Sequence, residues 1–270
     1  MSTDILTQII AAKRLEVAEQ KAAVSALSLE RMVEESAPCR SMSRALKASA
    51  TGIIAEFKRR SPSKGWIHEG ADAETIATGY AREGATALSV LTDSAYFGGS
   101  LSDFRRVRSR VNVPMLRKDF IVDPYQVLQS KAVGADAILL IAAALSRDEC
   151  RSLADLAHEL RMEVLLELHD ERELDYVDDR ADMVGINNRC LGTFVTRPEH
   201  SLHMAGLLPH DRVLVAESGL SRPDTVCRLR EAGYRGFLMG EAFMKAARPD
   251  VALSQFINEV LHDSESVRHA

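Results

Sequence analysis

The sequence predicts an α/β fold, a (β/α)8 TIM barrel with an N-terminal helical extension. Three observations carry that expectation. Eight short apolar runs alternate with amphipathic stretches between residues 53 and 239. Several of those stretches stop on a glycine just before the next run, at Gly84, Gly134 and Gly233, the expected helix C-terminal punctuation. Neither GxGxxG nor GxxxxGK[ST] follows the first run, so an open doubly wound sheet would lack its nucleotide loop. Eight evenly spaced units suit closure better.

Three segments are expected: a helical extension over 1–50 that packs on the barrel, a catalytic barrel over 51–262, and a tail over 263–270. The extension opens with a helical pattern over 4–27, where Ile5, Ile9, Ala12, Glu16 and Glu19 step by three or four residues. Shorter helices follow at 29–35 and 42–48, with Pro38 between them. The strand candidates are 53–57, 87–91, 113–116, 137–141, 163–166, 183–186, 212–216 and 236–239. Helix-like stretches fill 73–83, 124–133, 147–160, 171–177, 198–206 and 222–232. Pro198, Pro223 and Pro249 fall near helix starts, where proline is tolerated.

Composition narrows the function. With 46% hydrophobic residues the 270-residue chain can bury a sizeable core. A formal net charge of −5 and only 5% aromatic residues argue against nucleic-acid partners, while leaving room for a local basic pocket. The four cysteines, Cys39, Cys150, Cys190 and Cys227, are widely spaced and form no CxxC pair. That disfavours zinc or thioredoxin-type chemistry and suits reduced thiols. Asp4 and the lack of a long apolar stretch near the start disfavour a signal peptide. No apolar run is long enough for a bilayer. The expectation is a cytoplasmic protein with no membrane partner and no metal.

The first strand turns from buried to reactive. Ile53, Ile54, Ala55 and Phe57 suit a strand covered on both faces. Glu56 and Lys58 interrupt it two residues apart, and side chains alternate along a strand, so both charges share one face. Taken alone they serve equally as a strand-end ion pair or as functional groups. Ser61-Pro62-Ser63-Lys64-Gly65 then ends the strand in a polar, basic turn.

In such a barrel the active site lies at the C-terminal ends of the strands. Lys118 follows the third strand, Glu167 the fifth, Asn187 and Arg189 the sixth, Glu217 the seventh and Glu241 the eighth. Each has a bland explanation, because strand ends lie near water. Together, Lys58 and Lys118, Glu56, Glu167 and Glu217, Asn187 and Arg189 can hold an anion and move protons, and close Lys–Glu pairs shift each other's titration. Ser218-Gly219 and Gly240 follow the seventh and eighth strands, where small residues let backbone N–H groups approach a phosphate. Phe97 and Phe120 either pack in the core or wall a flat aromatic ligand. His200 and His203 have HxxH spacing without a completing carboxylate and suit a surface pair. Asp170 in His169-Asp170-Glu171 reads as a helix cap rather than a cation ligand. No GxSxG supports a hydrolase.

These stretches resemble the indole-3-glycerol phosphate synthase family: IIAEFKRRSPSKG at 53–65, ALSVLTD at 87–93, YFGGS at 96–100, LRKDFIV at 116–122, LLELHDE at 165–171, GINNR at 185–189 and AESG at 216–219. The likeness spans about 53–244, and the helical leader suits that family's N-terminal extension. It implies a carboxy-lyase of tryptophan biosynthesis acting on 1-(2-carboxyphenylamino)-1-deoxyribulose 5-phosphate, a small phosphorylated substrate, without metal or organic cofactor. It further implies Lys118 as general acid in ring closure, and Lys58 and Glu167 as the acid–base pair of dehydration with Glu56 tuning the lysines. Asn187, Arg189 and Glu217 would orient substrate. Ser218, Gly219, Gly240 and Glu241 would hold phosphate with help from Lys58. Ser61 would take the anthranilate carboxylate, and Phe97 and Phe120 would flank its ring.

The chain departs from the family pattern at Arg60, Trp66, His68, Cys190, Gly192-Thr193 and Glu241. Two competing expectations remain, another phosphate-sugar barrel such as a phosphoribosylanthranilate isomerase, and a non-catalytic phosphate-ligand protein. A monomer or weak homodimer is expected.

Overall fold

The computed structural model describes residues 5–190, 192, 194–209 and 211–268. Asp4, expected to begin the first helix, Thr193 of the turn after the sixth barrel strand, and the last two residues of the expected tail lie outside them. The barrel strands are β1 (Ile53–Phe57), β4 (Ala87–Leu91), β5 (Met115–Lys118), β6 (Ala137–Ile141), β7 (Glu163–Leu168), β8 (Met183–Asn187), β9 (Val213–Glu217) and β10 (Gly236–Met239). A two-residue hairpin, β2 (Arg60–Ser61) and β3 (Gly65–Trp66), follows β1. The eight barrel strands are parallel and close in the order β1-β10-β9-β8-β7-β6-β5-β4.

Several strands end later than their apolar runs. β5 begins at Met115, not at 113, because Pro114 has no N–H for the ladder. It then runs through Arg117 and Lys118. β7 extends to Leu168 and β8 to Asn187. The ladder pairs Leu91 with Lys118, Ile141 with Glu167 and Asn187 with Glu217. Polar residues are therefore held in the sheet itself, level with one another at its C-terminal rim.

Two apolar layers support that rim. Inside the barrel, Ile54, Ala87, Leu116, Leu139, Leu165, Met183 and Val215 pack on one another. The helix α3 (Met42–Ala48) plugs the opposite end with Met42 and Leu46, both fully buried. Burying a side chain of that size contributes about 1.5–3 kcal/mol. Glu163 fixes the plug, accepting from Ser41 Oγ at 2.6 Å and from the Ser43 N–H and Oγ at 2.8 Å each. Outside, residues such as Phe57, Val90, Leu140 and Ile186 face the surrounding helices.

The leader's first two helices meet earlier than the expected break between 27 and 29. α1 spans Ile5–Ala23 and α2 spans Ala26–Glu34. Ser25 breaks the run by accepting the Ser28 N–H as an N-cap. α2 lies on α6 (Pro124–Ala132), and Tyr125 Oη donates to the Gln20 and Val24 carbonyls at 3.1 and 2.9 Å.

Of the other helices, α4 (Ala73–Arg82), α7 (Arg147–Glu159), α8 (Glu199–Ala205) and α9 (Pro223–Glu231) fall where the amphipathic stretches lie. The stretch 171–177 is a 3-10 helix over Glu171–Tyr176. An additional helix, α5 (Leu101–Arg108), is capped by Ser100 accepting the Asp103 N–H. A short α10 (Glu241–Met244) precedes α11 (Pro249–Arg268), so the chain from 263 continues as helix through Arg268. Among the described residues no helix is long and apolar enough to cross a membrane.

Candidate active site

A cavity of about 460 Å³ opens at the C-terminal ends of the strands. All the site residues expected from sequence line it, from Glu56 on β1 round to Glu241 on α10. They fall into three groups.

At the centre stands Lys118. Its Nζ lies 2.9 Å from Glu167 Oε2 and 3.3 Å from Glu217 Oε2. Burial alone would lower the Lys118 pKa, but Glu167, Glu217 and Glu56 outweigh it and raise the pKa above the ordinary lysine range. The two carboxylates divide. Burial would raise Glu167, yet Lys118 and then His169 hold it well below the usual carboxylate range. Burial pushes Glu217 up against the pull of Lys118, and the neighbouring Glu167 charge adds to the rise. Two carboxyls on one ammonium are thus pushed apart in pKa, Glu167 down and Glu217 up. Glu217 needs room for this, and Gly185 gives it, because a Cβ there would meet Glu217 Oε1 at 2.3 Å.

Beside this centre, Lys58 Nζ donates to Glu56 Oε1 at 2.6 Å. Asn187 Nδ2 donates to Glu167 Oε1 at 3.1 Å, and Asn187 Oδ1 accepts the Arg189 N–H at 3.0 Å. His169, read from sequence only as an unconvincing cation ligand, belongs here too. Its Nε2 is 3.2 Å from Glu167 Oε1. Burial would lower its pKa, but Glu167 raises it. Its signal was its place two residues after Glu167, which puts both on one strand face.

The second group lies beyond β9 and β10. Ser218 adopts a left-handed φ of 67° and Gly219 one of 73°, so successive N–H groups can turn toward one concavity. Buried Asn188 holds that turn by donating to the Ser218 carbonyl at 3.1 Å, and is itself fixed by Ser201. Its type gave no hint of this, because it neighbours the more suggestive Asn187. A Cβ on Gly219 would strike Thr196 at 2.3 Å, and one on Gly240 would meet Glu56 Oε1 at 2.7 Å. The smallness of Gly240 therefore admits Glu56 first. The Glu241 carboxylate is engaged by Arg189 Nη2 at 3.4 Å and by Lys245 Nζ at 2.5 Å. Only its main chain at the start of α10 remains for an anion.

The third group is apolar. Phe97 and Phe120 stand with ring centroids 6.0 Å apart, tilted by 40°. Leu139 and Ile141 continue the wall, and Ile5, Leu6 and Ile9 of α1 complete it. The leader residues carried no sequence signal of this role. On the loop after β1, Ser61 is buried and Ser63 Oγ accepts from Arg189 Nη1 at 3.1 Å. Arg60, which departs from the family pattern, donates to the Ala95 carbonyl at 2.8 Å and lies over the Trp66 ring at 5.6 Å. The two unusual residues account for each other. His203 pairs with Glu171 at 2.7 Å on the surface.

The family model of indole-3-glycerol phosphate synthase matches residues 6–256. A relative from Bacteroides thetaiotaomicron, named indole-3-glycerol phosphate synthase, is 56% identical over 257 residues, covering 95% of this chain and 99% of the relative. One from Bordetella pertussis with the same name is 42% identical, covering 94% and 99%. The tryptophan synthase α2β2 complex structure from Pyrococcus furiosus matches at 14% identity with a TM-score of 0.57, covering 78% of this chain and 98% of that one. That likeness bears on the barrel fold alone.

Proposed function

The chain belongs to the indole-3-glycerol phosphate synthase family, and from that premise we propose how its rim divides the work. The family is one of decarboxylating lyases in tryptophan biosynthesis. Its reaction converts 1-(2-carboxyphenylamino)-1-deoxyribulose 5-phosphate to indole-3-glycerol phosphate by ring closure, decarboxylation and dehydration. The barrel, 51–262, is assigned the chemistry, with 1–50 as its extension and 263–270 as a tail.

Ring closure puts negative charge on the ketone oxygen as the aromatic carbon attacks. Lys118 is assigned as the acid that meets this charge, in a cavity where a fixed ammonium counts for more than in water. Loss of carbon dioxide follows and restores the ring. Dehydration then needs an acid to help hydroxide leave and a base to take a proton. Lys58, held by Glu56, is assigned as the acid, and Glu167, kept ionised, as the base. Glu217, its pKa pushed up by burial, is assigned to orient a substrate hydroxyl together with Asn187 and Arg189.

Ser218, Gly219, Gly240 and the main chain of Glu241 are assigned to phosphate, with Lys58 near. Ser61 is assigned to the anthranilate carboxylate, and Phe97 and Phe120 to its ring. The single observation that carries the assignment is Lys118 within ion-pair distance of two buried carboxylates whose pKa values are pushed in opposite directions. The enzyme is taken as cytoplasmic, a monomer or weak homodimer without nucleic-acid partners, in keeping with four reduced thiols and a net negative charge.

The test is incubation with the carboxyphenylamino-deoxyribulose phosphate while carbon dioxide and indole fluorescence are followed together. Stoichiometric appearance of both is expected. Lys118→Ala protein that turns over at the wild-type rate would sink the assignment.

A further inference from the structure

Helix α1 turns one charged side chain fully inward. Lys13 is 1% exposed. Its Nζ lies 2.8 Å from Glu16, 3.0 Å from Asp93 and 3.0 Å from Asp119. Glu16 is on its own helix, but the other two belong to the barrel. Asp93 follows β4 and accepts the Tyr96 N–H at 2.7 Å, one residue before Phe97. Asp119 follows β5 and accepts the Phe120 N–H at 2.9 Å. The two anchors of Lys13 are thus the local supports of Phe97 and Phe120, two of the aromatic side chains that line the cavity.

Helical spacing links the same lysine to the cavity wall. Ile9 lies one turn before Lys13 on the same face, and Ile5 one turn before that. Both line the cavity with Leu6. This wall stands on the β4–β6 side of the barrel, whereas Ser218, Gly219 and Gly240 follow β9 and β10. The apolar and anion-accepting ends are therefore held by different parts of the chain.

We propose that Lys13 is a positioning residue that locks α1 onto the Phe97 and Phe120 loops, so that Ile5, Leu6 and Ile9 close the apolar end of the cavity and select ligands bearing a flat aromatic ring. The inference rests on the functional assignment above and adds to it a determinant outside the barrel. Releasing Lys13 withdraws apolar area from a bound ring but leaves the phosphate end as it is.

Titration calorimetry of the full chain with two probes separates the ends: indole-3-glycerol phosphate, which carries ring and phosphate, and glycerol 3-phosphate, which carries phosphate alone. Lys13→Met and Ile9→Ala are each expected to weaken the first by about tenfold and to change the second by less than about twofold. For Lys13→Met the substrate KM should rise in parallel while kcat falls by less. Equal weakening of both probes, or of neither, overturns the proposal. If Lys13→Met protein does not fold, Asp93→Asn removes one charge and keeps an acceptor for Tyr96, and the same selective loss is required of it. Wild-type protein that binds glycerol 3-phosphate but not the indole compound would overturn the functional assignment instead.

Discussion

The molecule carries two buried charge clusters of the same composition, back to back on β5. One holds Lys118 and Lys58 with Glu56, Glu167 and Glu217. The other holds Lys13 and Arg117 with Glu16, Asp93 and Asp119. Each has two cations and three carboxylates, yet they serve opposite ends. In the second, Asp119 accepts from Thr92, Arg117, Lys13 and the Phe120 N–H, and Arg117 also donates to the Gln126 carbonyl and Ser130. Asp119 and Arg117 are thus engaged within the protein on every side-chain nitrogen and oxygen. In the first, Glu217 Oε1 is buried without a hydrogen-bond partner, and Lys118 and Lys58 remain 14% and 17% exposed toward the cavity. Buried charge alone does not mark a catalytic site. Unsatisfied bonding capacity facing a cavity, with carboxylates pushed apart in pKa, is the better mark.

The largest effects should come from removing the two lysines in turn. Lys118→Met is expected to lower single-turnover indole formation by about a thousandfold or more. Lys13→Met should keep most of kcat and cost about 3–5 kcal/mol of stability, because it strands buried carboxylates. If Lys13→Met loses the chemistry as Lys118→Met does, the two clusters do not differ as described.

Next in size is the protonation state of Glu217. Raised by burial, it holds its proton until pH rises above the ordinary carboxylate range and then loses it. Activity that needs the protonated form should therefore fall on the alkaline side. Glu217→Gln, which keeps a donor, is expected to lose roughly tenfold in kcat/KM at neutral pH and to flatten that alkaline limb, while Glu217→Ala loses more. A kcat/KM profile unchanged in shape by the glutamine would exclude the role.

The closed cluster has its own pH signature, in stability rather than rate. Burial would raise Asp119, but Arg117 and Lys13 hold it at about 2, against 3.8 when free. Its contribution is present above about pH 4 and is lost as pH falls toward about 2, because the unfolded chain takes up the proton first. That is on the order of 2 kcal/mol. Urea melts of Asp119→Asn should show a shallower loss across this window than wild type. The smallest effect belongs to the exposed Arg60–Trp66 contact, at about 0.5–1 kcal/mol. In a double-mutant cycle, Arg60→Ala with Trp66→Ala should cost little more than either alone.

Most of the barrel was legible because strand alternation and glycine punctuation are local signals. So was the rim, since Glu56, Lys118, Glu167 and Glu217 each interrupt or end an apolar run. What was hidden depends on partners distant in sequence. Lys13 looks like any helix-surface lysine until the chain brings Asp93 and Asp119 to it. Ile5 and Ile9 show the right period for a buried stripe, but the period does not say that a ligand cavity lies beneath. α5 was hidden because Arg105, Arg106 and Arg108 break up its apolar spacing, although Ser100 and Asp103 mark its start. Glu241 was expected at the phosphate, yet its carboxylate turns to Arg189 and Lys245, a choice of neighbour that no motif encodes.

Lys118 and Asp119 are consecutive residues facing opposite clusters. A strand has a parity, and β5 uses both of its faces at once. Losing or gaining one residue there would not merely shift a side chain; it would send the ammonium outward to the leader and the carboxylate inward among Glu167 and Glu217. Substitution can explore this strand one position at a time, but single-residue insertions and deletions cannot. Among lineages that keep both the leader and the chemistry, β5 should therefore vary in spelling and never in length.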